Sequence, residues 1–213
     1  MDTQILSNIR DMLRSLIINY TSPILQPIQN IDGLFYCDNF IDDKMEQKII
    51  HLVNQEKWSS ELSRRVQHYG YKYDYKRRTT DPHKDYIGEL PVWTDYIIHK
   101  MFCSFHKTCI HLPFETFDQL IVNEYKKGQG IGKHTDCISC FSNGIAIISL
   151  NNDSIITFEK NGIRHDIHVK RKSLVLMTDD ARYNWTHAII PMNNNNFTND
   201  KPRISITFRF VKK

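Results

Sequence analysis

The sequence predicts an α+β fold that is mainly β, and two observations carry this prediction. Apolar residues repeat at helical spacing in separate segments before residue 107, whereas the chain from Phe117 onward consists of short β-branched runs between turn residues. Many short strands with such punctuation are typical of a β-sandwich or a barrel. At 213 residues, we expect an N-terminal helix and linker over residues 1–30, then one domain over residues 31–213 with its own core.

The helical segments come first in the chain. Residues 5–17 predict an amphipathic helix that docks on the domain, with binding of a partner as the alternative. A strand over residues 33–41 leads into a helix that an aspartate caps and that ends near Lys57. A further helix over residues 92–107 is expected to brace the sheet.

The β-rich part of the chain follows. We predict strands at residues 119–125, 145–150, 155–159, 163–169, 173–177, 184–190 and 203–211. Asn161-Gly162 is a good hairpin turn between two of them. Residues 192–201 predict a polar, asparagine-rich loop.

A segment rich in tyrosine and arginine precedes these strands. Alternate residues predict one aromatic strand face, made of Tyr69, Tyr71, Tyr73 and Tyr75. Basic residues flank this face, namely Arg64, Arg65, Lys76, Arg77 and Arg78. One interpretation is a stacking surface for an exposed base, with cations near phosphates. The other is a tyrosine-rich strand packed on the sheet, which the pattern alone slightly favours.

Composition limits the possible partners and compartments. A formal net charge of +4 permits a polyanionic partner without requiring one. No apolar run approaches the length of a membrane span, so we expect no membrane contact. We also expect a monomer. The sequence has five cysteines and no signal peptide, which predicts an intracellular, reducing compartment and free thiols: Cys37, Cys103, Cys109, Cys137 and Cys140.

A candidate metal site combines three residues. His134 and Asp136 are two positions apart, so on an extended backbone both side chains point to the same face. His187, on a later β-rich segment, supplies a second imidazole. Two histidines and one carboxylate form the facial triad of non-haem Fe(II) oxygenases, which leaves coordination positions open. Taken singly, each residue is more often a core or solvated side chain; together they favour iron.

Two arginines on one predicted strand complete the pattern. Arg203 and Arg209 are six positions apart, so their guanidiniums share one face of the sheet. Such groups bind carboxylates bidentately, and a buried arginine requires an anionic ligand or an acidic neighbour. The alternative is that one of the two, Arg209 rather than Arg203, is a surface residue on an edge strand.

In this order, the motifs resemble those of the AlkB family of Fe(II)/2-oxoglutarate dioxygenases. The match runs through Asn123-x-Tyr125, His134-x-Asp136, His187 and Arg203-x5-Arg209, and it covers residues 33–211. Residues 62–71, 87–91 and 176–183 resemble the branch that includes the tRNA-hydroxylating enzymes. The resemblance implies a double-stranded β-helix, or jelly roll, with bracing helices on its N-terminal side.

The resemblance also implies roles for individual residues. Fe(II) is expected on His134, Asp136 and His187, with 2-oxoglutarate and O2 as co-substrates. Asn123 and Tyr125 are expected to hold 2-oxoglutarate. Arg203 is expected to pair with its distal carboxylate, and Arg209 to lie near the metal or to orient Asp136. The expected substrate-binding residues are Arg64, Arg65, Tyr69, Tyr71, Tyr73 and Arg182.

The expected substrate is an alkylated base of RNA or single-stranded DNA, with either demethylation or stable hydroxylation as the outcome. Two other functions stay open, namely a protein hydroxylase or demethylase with the same iron site and a non-catalytic nucleic-acid-binding jelly roll. Cys137 and Cys140 follow Asp136 with the spacing of zinc ligands. Because no second pair accompanies them, we interpret them as packing or incidental residues.

Overall fold

A computed structural model of the chain describes residues 21–191 and 201–213. The helix predicted over residues 5–17 lies outside the described residues, as does the loop predicted over residues 192–201 except for its last position. Both stay predictions, and so does the division of the chain after residue 30.

Helices and strands follow one another along the described part of the chain. The helices are α1 (Asp43–Gln55), α2 (Trp93–Lys107) and α3 (Asp179–Tyr183). The strands are β1 (Gln26–Pro27), β2 (Leu34–Cys37), β3 (Arg65–Tyr71), β4 (Tyr86–Gly88), β5 (Gln119–Tyr125), β6 (Ile131–His134), β7 (Ile145–Leu150), β8 (Ser154–Lys160), β9 (Ile163–Val169), β10 (Leu174–Met177), β11 (Thr186–Ile189) and β12 (Arg203–Arg209).

Two antiparallel sheets form the jelly roll that the sequence predicts. The larger has the order β1-β2-β10-β7-β12-β5-β3-β4, and the smaller has the order β6-β11-β8-β9. Central strands of the larger sheet are buried along their whole length, as β5 and β7 show. Strand β9 alternates exposed and covered residues, as expected of an outer strand.

Two apolar cores lie on opposite faces of the larger sheet. On one face, Ile49 of α1 and Met101 of α2 pack in the same buried cluster as Leu120 of β5. On the other face, Ile147 of β7 packs with Phe158 of the smaller sheet. The helices therefore brace one face of the larger sheet, as predicted, and the smaller sheet covers the other. Within the described ranges, no helix has both the length and the apolar character needed to cross a bilayer.

Helix α1 begins where the sequence indicates. Asp42 is its N-cap, and Oδ1 of Asp42 accepts a hydrogen bond of 2.7 Å from the backbone N–H of Met45. The helix ends at Gln55, two residues before the predicted end.

Strand β6 is an element that the sequence analysis did not predict, because glycines precede and interrupt it. Gly130 permits its close approach to β11: a Cβ at this position would lie 2.3 Å from the carbonyl oxygen of Ile189. The strand carries His134 at its end. The predicted strand over residues 184–190 is shorter, since α3 occupies the residues before it.

The predicted four-tyrosine strand face is wrong, because β3 ends at Tyr71 and its register shifts at Gly70. Gly70 has φ +73°, and a Cβ there would meet the carbonyl oxygen of Asp118 at 1.8 Å. Tyr69 packs in the core against the helices, whereas Tyr71 packs in a separate cluster with Phe141. The bulge therefore sends two residues of the same parity to opposite faces.

Candidate functional site

The cross-strand pairing of β6 with β11 brings the predicted metal ligands together. His134 lies directly opposite His187 in the ladder, and their ring centroids are 4.4 Å apart. Asp136 follows β6 by two residues. The potential ligand atoms of His134, Asp136 and His187 all lie within 4.8 Å of one another. The two-residue spacing and a strand pairing across more than fifty residues together create one site.

Hydrogen bonding prepares His134 for a metal. Its Nδ1 lies 2.9 Å from the carbonyl oxygen of Gly132. A carbonyl oxygen accepts and cannot donate, so Nδ1 carries the proton and Nε2 keeps the lone pair.

Burial keeps the second histidine neutral. It lowers the pKa of His187 to about 4, although Asp136 acts in the opposite direction. The contact of 3.6 Å between His187 Nε2 and Asp136 Oδ2 is therefore made by a neutral imidazole at pH 7 and is not an ion pair. A neutral imidazole is the form that coordinates a metal.

Arg209 holds the carboxylate of Asp136. Its Nη2 donates a hydrogen bond of 2.6 Å to Asp136 Oδ1. Burial opposes ionisation of this carboxyl, but the positive charge of Arg209 acts against it, and the pKa of Asp136 lies well below its usual value. Asp136 Oδ2 is buried and has no hydrogen-bond partner among the described residues. One oxygen is thus oriented by the protein, while the other faces the two imidazoles.

The co-substrate residues lie on the same face of β12 and β5. Arg203 is 1% exposed, and its Nη2 donates a hydrogen bond of 2.8 Å to Ser149 Oγ. Its guanidinium lies over the Tyr125 ring, 5.4 Å from the centroid. In the described part of the chain, Arg203 Nε and Nη1 have no hydrogen-bond partner. Burial lowers the pKa of Arg203 to about 10, so the group is still charged at pH 7.

A cavity of about 570 Å³ lies beside these groups; Tyr125 lines it, whereas Arg203 does not. Its floor includes Asn123, Tyr125, Ser205 and Thr207, and the three candidate metal ligands lie in its wall. Its outer wall consists of residues before and after β3: Leu62, Arg64, Tyr73, Tyr75 and Arg78. A volume of this size is ample for a small dicarboxylate together with part of a larger substrate.

Comparison with known proteins agrees with this geometry. The sequence profile of the 2OG-Fe(II) oxygenase superfamily matches residues 35–209. The chain belongs to this superfamily, as an AlkB-like oxygenase. It is 32% identical over 210 residues to the alkylated DNA repair protein ALKBH8 homolog of Arabidopsis thaliana, covering 86% of this chain and 59% of that protein.

Another relative of the oxygenase is the tRNA (carboxymethyluridine(34)-5-O)-methyltransferase ALKBH8 of Mus musculus. The identity is 33% over 170 residues, which covers 75% of this chain and 24% of that protein. The oxygenase thus spans less than two thirds of either ALKBH8 relative. The solved structure of OsALKBH1 has a TM-score of 0.67 at 15% identity, covering 87% of this chain and 99% of that one, which shows the shared fold.

The oxygenase uses Fe(II), 2-oxoglutarate and O2, and its side chains fit them. Two imidazoles and one carboxylate oxygen are the donor set that non-haem Fe(II) takes. A buried guanidinium with two unpartnered nitrogens fits a carboxylate of 2-oxoglutarate. On this basis His134, Asp136 and His187 would hold the metal, and Arg203 would hold the co-substrate beside Asn123 and Tyr125.

The predicted substrate-binding residues separate into two groups. Arg64 and Tyr73 line the cavity of the oxygenase, and Arg64 Nε donates a hydrogen bond of 2.7 Å to Asn123 Oδ1. Arg65 points to the opposite face, where it makes a bidentate ion pair with Glu124 and stacks on Trp58. Tyr69 and Tyr71 also lie outside the cavity lining.

Arg182 also lies away from the cavity of the oxygenase, behind the turn that follows Asp136. It is 2% exposed and donates hydrogen bonds to the carbonyl oxygens of Asp136, Cys137 and Phe141, at 3.0, 3.1 and 3.3 Å. Its side chain is therefore committed to the backbone of this turn.

Further residues of the cavity were not among the expected substrate-binding residues. Tyr75 and Arg78 belonged to the predicted aromatic face and its basic flank, and both line the cavity. Ser205 and Thr207 lie at every second position of β12 between the two arginines, and both line the cavity. This period-two spacing was the signal from which they could have been predicted. Phe141 gave no sequence signal, since only the fold brings it to the site.

The structure corrects the prediction of free thiols at two positions. Cys137 and Cys140 form a disulfide, whereas Cys37, Cys103 and Cys109 are free. The spacing that the sequence analysis took as incidental closes a turn immediately after the candidate metal ligand Asp136.

Proposed function

We propose that this oxygenase oxidises an alkyl group on a nucleic-acid base that is presented by a single strand or a loop. One observation carries the proposal: the cavity that contains the candidate metal ligands is also lined by an aromatic wall and by Arg78, which makes no ion pair with any described carboxylate. A base must leave its stack to reach a buried metal, and it then needs another aromatic surface to replace its neighbours.

The aromatic wall consists of three rings. Tyr73 lies 5.1 Å from Tyr75, nearly edge to face, and 6.1 Å from Phe141, with a tilt of 35° between the planes. All three rings line the cavity. A flat base that enters beside Tyr73 would exchange water for aromatic contact, which is worth about 1–3 kcal/mol per base.

The charges at the rim differ from one residue to the next. Arg77 makes ion pairs with Asp74 and Asp85. In the part of the chain that the structure describes, its neighbours Lys76 and Arg78 make no ion pair with a carboxylate. These two side chains are therefore available to phosphates on either side of an extruded nucleotide.

The oxygenase residues have distinct tasks in this reaction. When bound, Fe(II) supplies the centre at which O2 and 2-oxoglutarate react, giving succinate, carbon dioxide and one hydroxyl group on the substrate. Arg209 fixes the orientation of Asp136, and the apolar side chains of Ile147, Ile156 and Ile189 exclude water from the inner wall. The aromatic wall places the alkyl group of the base towards the metal ligands.

Two outcomes follow from the same hydroxylation. A hydroxylated N-methyl group is an unstable hemiaminal that releases formaldehyde, so the net result is demethylation. A hydroxylated carbon-bound substituent is a stable alcohol. The names of the two ALKBH8 relatives refer to alkylated DNA and to tRNA, and they support a nucleic-acid substrate for this chain.

Mass spectrometry of nucleosides tests the proposal. The iron-loaded protein is incubated with 2-oxoglutarate and either bulk tRNA or methylated single-stranded DNA, and released formaldehyde is measured in parallel. We expect a new hydroxylated nucleoside or a demethylated one, formed with succinate and absent with His134→Ala. Turnover of peptides without turnover of any nucleic acid would contradict the proposal and favour a protein hydroxylase.

A matched pair of arginine variants tests how the substrate is held. Arg78→Ala removes an unpaired cation from the rim, whereas Arg77→Ala removes a cation that Asp74 and Asp85 already neutralise. We expect Arg78→Ala to weaken binding of a single-stranded oligonucleotide and to lower the dependence of log Kd on log salt by about 0.7, the value for one phosphate contact on a single strand. Equal salt dependence in both variants would exclude this contact.

A further inference from the structure

The turn between residues 136 and 141 connects the metal site with the disulfide. Cys137 is the residue after Asp136 and lines the cavity, while Cys140 is 4% exposed and packs beside Phe141. The N–H of Phe141 donates to the carbonyl oxygen of Cys137 at 3.2 Å. The disulfide therefore closes a short ring that begins directly beside a metal ligand.

Two series of contacts connect the turn that the disulfide closes with Asp136. The first is the backbone, because Arg182 donates to the carbonyls of both Asp136 and Cys137. The second passes through Phe141, whose ring lies 5.0 Å from the guanidinium carbon of Arg209. Arg209 in turn donates to Asp136 Oδ1. A change in the geometry of the turn thus reaches the carboxylate from two sides.

The turn that the disulfide closes also contacts the mouth of the cavity. Cys140 Sγ lies 3.6 Å from Thr79 Oγ1, and Thr79 closes the loop that carries Tyr75 and Arg78 by pairing with Asp74. Phe141 also faces the Tyr73 ring. The disulfide therefore lies between the metal ligand and the aromatic wall.

The disulfide contributes little to the global fold, since the conformational entropy that a crosslink removes from the unfolded chain grows with the loop it closes. Here the sequence separation is only 3. Its main effect is local, on the turn itself. The turn is also accessible, because Ile138 is 49% exposed and Ser139 is exposed.

We infer that Cys137 and Cys140 are a thiol–disulfide exchange site that sets the metal affinity of the oxygenase according to the redox state of a dithiol partner. The more accessible Cys137 Sγ is attacked by a partner thiolate, and the Cys140 sulfur leaves and takes up a proton. The second partner thiol then releases Cys137 as a thiol. The pair gains two electrons and two protons, and the partner becomes a disulfide.

Reduction opens the turn that the disulfide closes. The carbonyl oxygens of Cys137 and Phe141 are then no longer held in one position to accept hydrogen bonds from Arg182. Asp136 then loses part of its support. Groups that support metal ligands typically change metal affinity 10- to 100-fold, and we expect a change of about tenfold because Arg209 stays in place. The oxidised protein is the tighter binder.

The experiment uses the full chain with Cys103→Ser and Cys109→Ser, which removes the free cysteines that are not buried. The protein is equilibrated in glutathione buffers of graded ratio, and the redox state of Cys137 and Cys140 is quantified by alkylation and mass spectrometry. Mn(II) affinity is then measured calorimetrically. Zn(II) is avoided because thiolates bind it directly.

We expect Mn(II) to bind about tenfold more tightly to the oxidised form, and hydrogen exchange to rise in residues 137–142 on reduction but not in α1. A variant that also carries Cys137→Ser and Cys140→Ser should match the reduced protein in every buffer. Equal Mn(II) affinity of fully oxidised and fully reduced protein would overturn the inference. So would failure to form the disulfide in the most oxidising buffer. No nucleic acid is present, so the result is independent of the proposed substrate.

Discussion

Arg203 and Arg209 begin and end the same strand, yet their surroundings differ in what neutralises the charge. Arg209 donates a hydrogen bond of 2.6 Å to the carboxylate of Asp136. Arg203 is the more deeply buried of the two, and its only hydrogen bond to a described residue goes to the hydroxyl of Ser149. One guanidinium is paired within the protein, and the other has aromatic and hydroxyl neighbours without an acid.

From this difference we expect Arg209 to position Asp136 and Arg203 to bind the co-substrate. A buried cation without a carboxylate costs folding free energy, whereas the same cation opposite a ligand carboxylate contributes to affinity. Arg203 therefore carries a cost in the free protein that a dicarboxylate removes. Arg209 carries no such cost, because it compensates the charge of a metal ligand.

The largest expected effect is on stability, and it has opposite signs at the two arginines. Arg209→Met leaves Asp136 as an uncompensated buried charge, so the metal-free protein should lose about 3 kcal/mol of unfolding free energy. Arg203→Met removes an uncompensated charge and should gain about 1 kcal/mol. Urea unfolding in the presence of EDTA measures both changes. Losses of equal size in both variants would remove the distinction.

The pH dependence of the Arg209→Met variant provides a control. Without Arg209, burial dominates and the pKa of Asp136 rises above its value in the unfolded chain. A group whose pKa is raised in the folded state stabilises the protein at low pH, and this stabilisation is lost as the pH rises through that pKa. The deficit of the variant relative to the wild type should therefore shrink when the pH is lowered from 7.5 to 5.

Co-substrate binding is the next largest effect. Arg203→Gln keeps a polar side chain but removes the charge, which costs about 2 kcal/mol or more when a buried charge pair loses one partner. This is about a 30-fold rise in the dissociation constant of 2-oxoglutarate. Calorimetry of the Mn(II)-loaded protein measures it, with Ser149→Ala as the matched control, for which we expect a much smaller rise. An unchanged constant in Arg203→Gln would assign the carboxylate to another residue.

The smallest of the three effects is on the metal. Arg209→Gln leaves Asp136 in place but frees its Oδ1, so Mn(II) affinity should fall about tenfold, as for other residues that orient metal ligands. The dissociation constant of 2-oxoglutarate, measured at saturating Mn(II), should change less than in Arg203→Gln. If Arg203→Gln and Arg209→Gln changed the dissociation constants of Mn(II) and 2-oxoglutarate in the same ratio, both arginines would share one role.

The sequence predicted the motifs of the site better than their surroundings. Two-residue spacing predicted His134 and Asp136, since the period of an extended backbone is independent of the rest of the fold. The pairing of His134 with His187 could not be read from spacing, because it depends on the register of β6 against β11. Helices α1 and α2 and most strands followed from periodicity, whereas α3 was not predicted.

The aromatic segment shows why local pattern is insufficient. A strict alternation placed four tyrosines on one face, but the bulge at Gly70 changes the parity within the strand. The signal for the bulge was the glycine itself, and its cause, the close approach of Asp118, exists only in the folded chain. Likewise, the neighbours of Cys137 and Cys140 are known only from the fold.

The position of β6 has a consequence for how the protein responds to metal removal. This four-residue strand lies at the edge of the smaller sheet and pairs there with β11 alone. An ion shared by His134 and His187 would act as a crosslink between an edge strand and its neighbour, adding free energy that rises with the logarithm of free metal. Chelation should then loosen one margin of the sheet while the helical side keeps its packing, so proteolysis would begin at this edge.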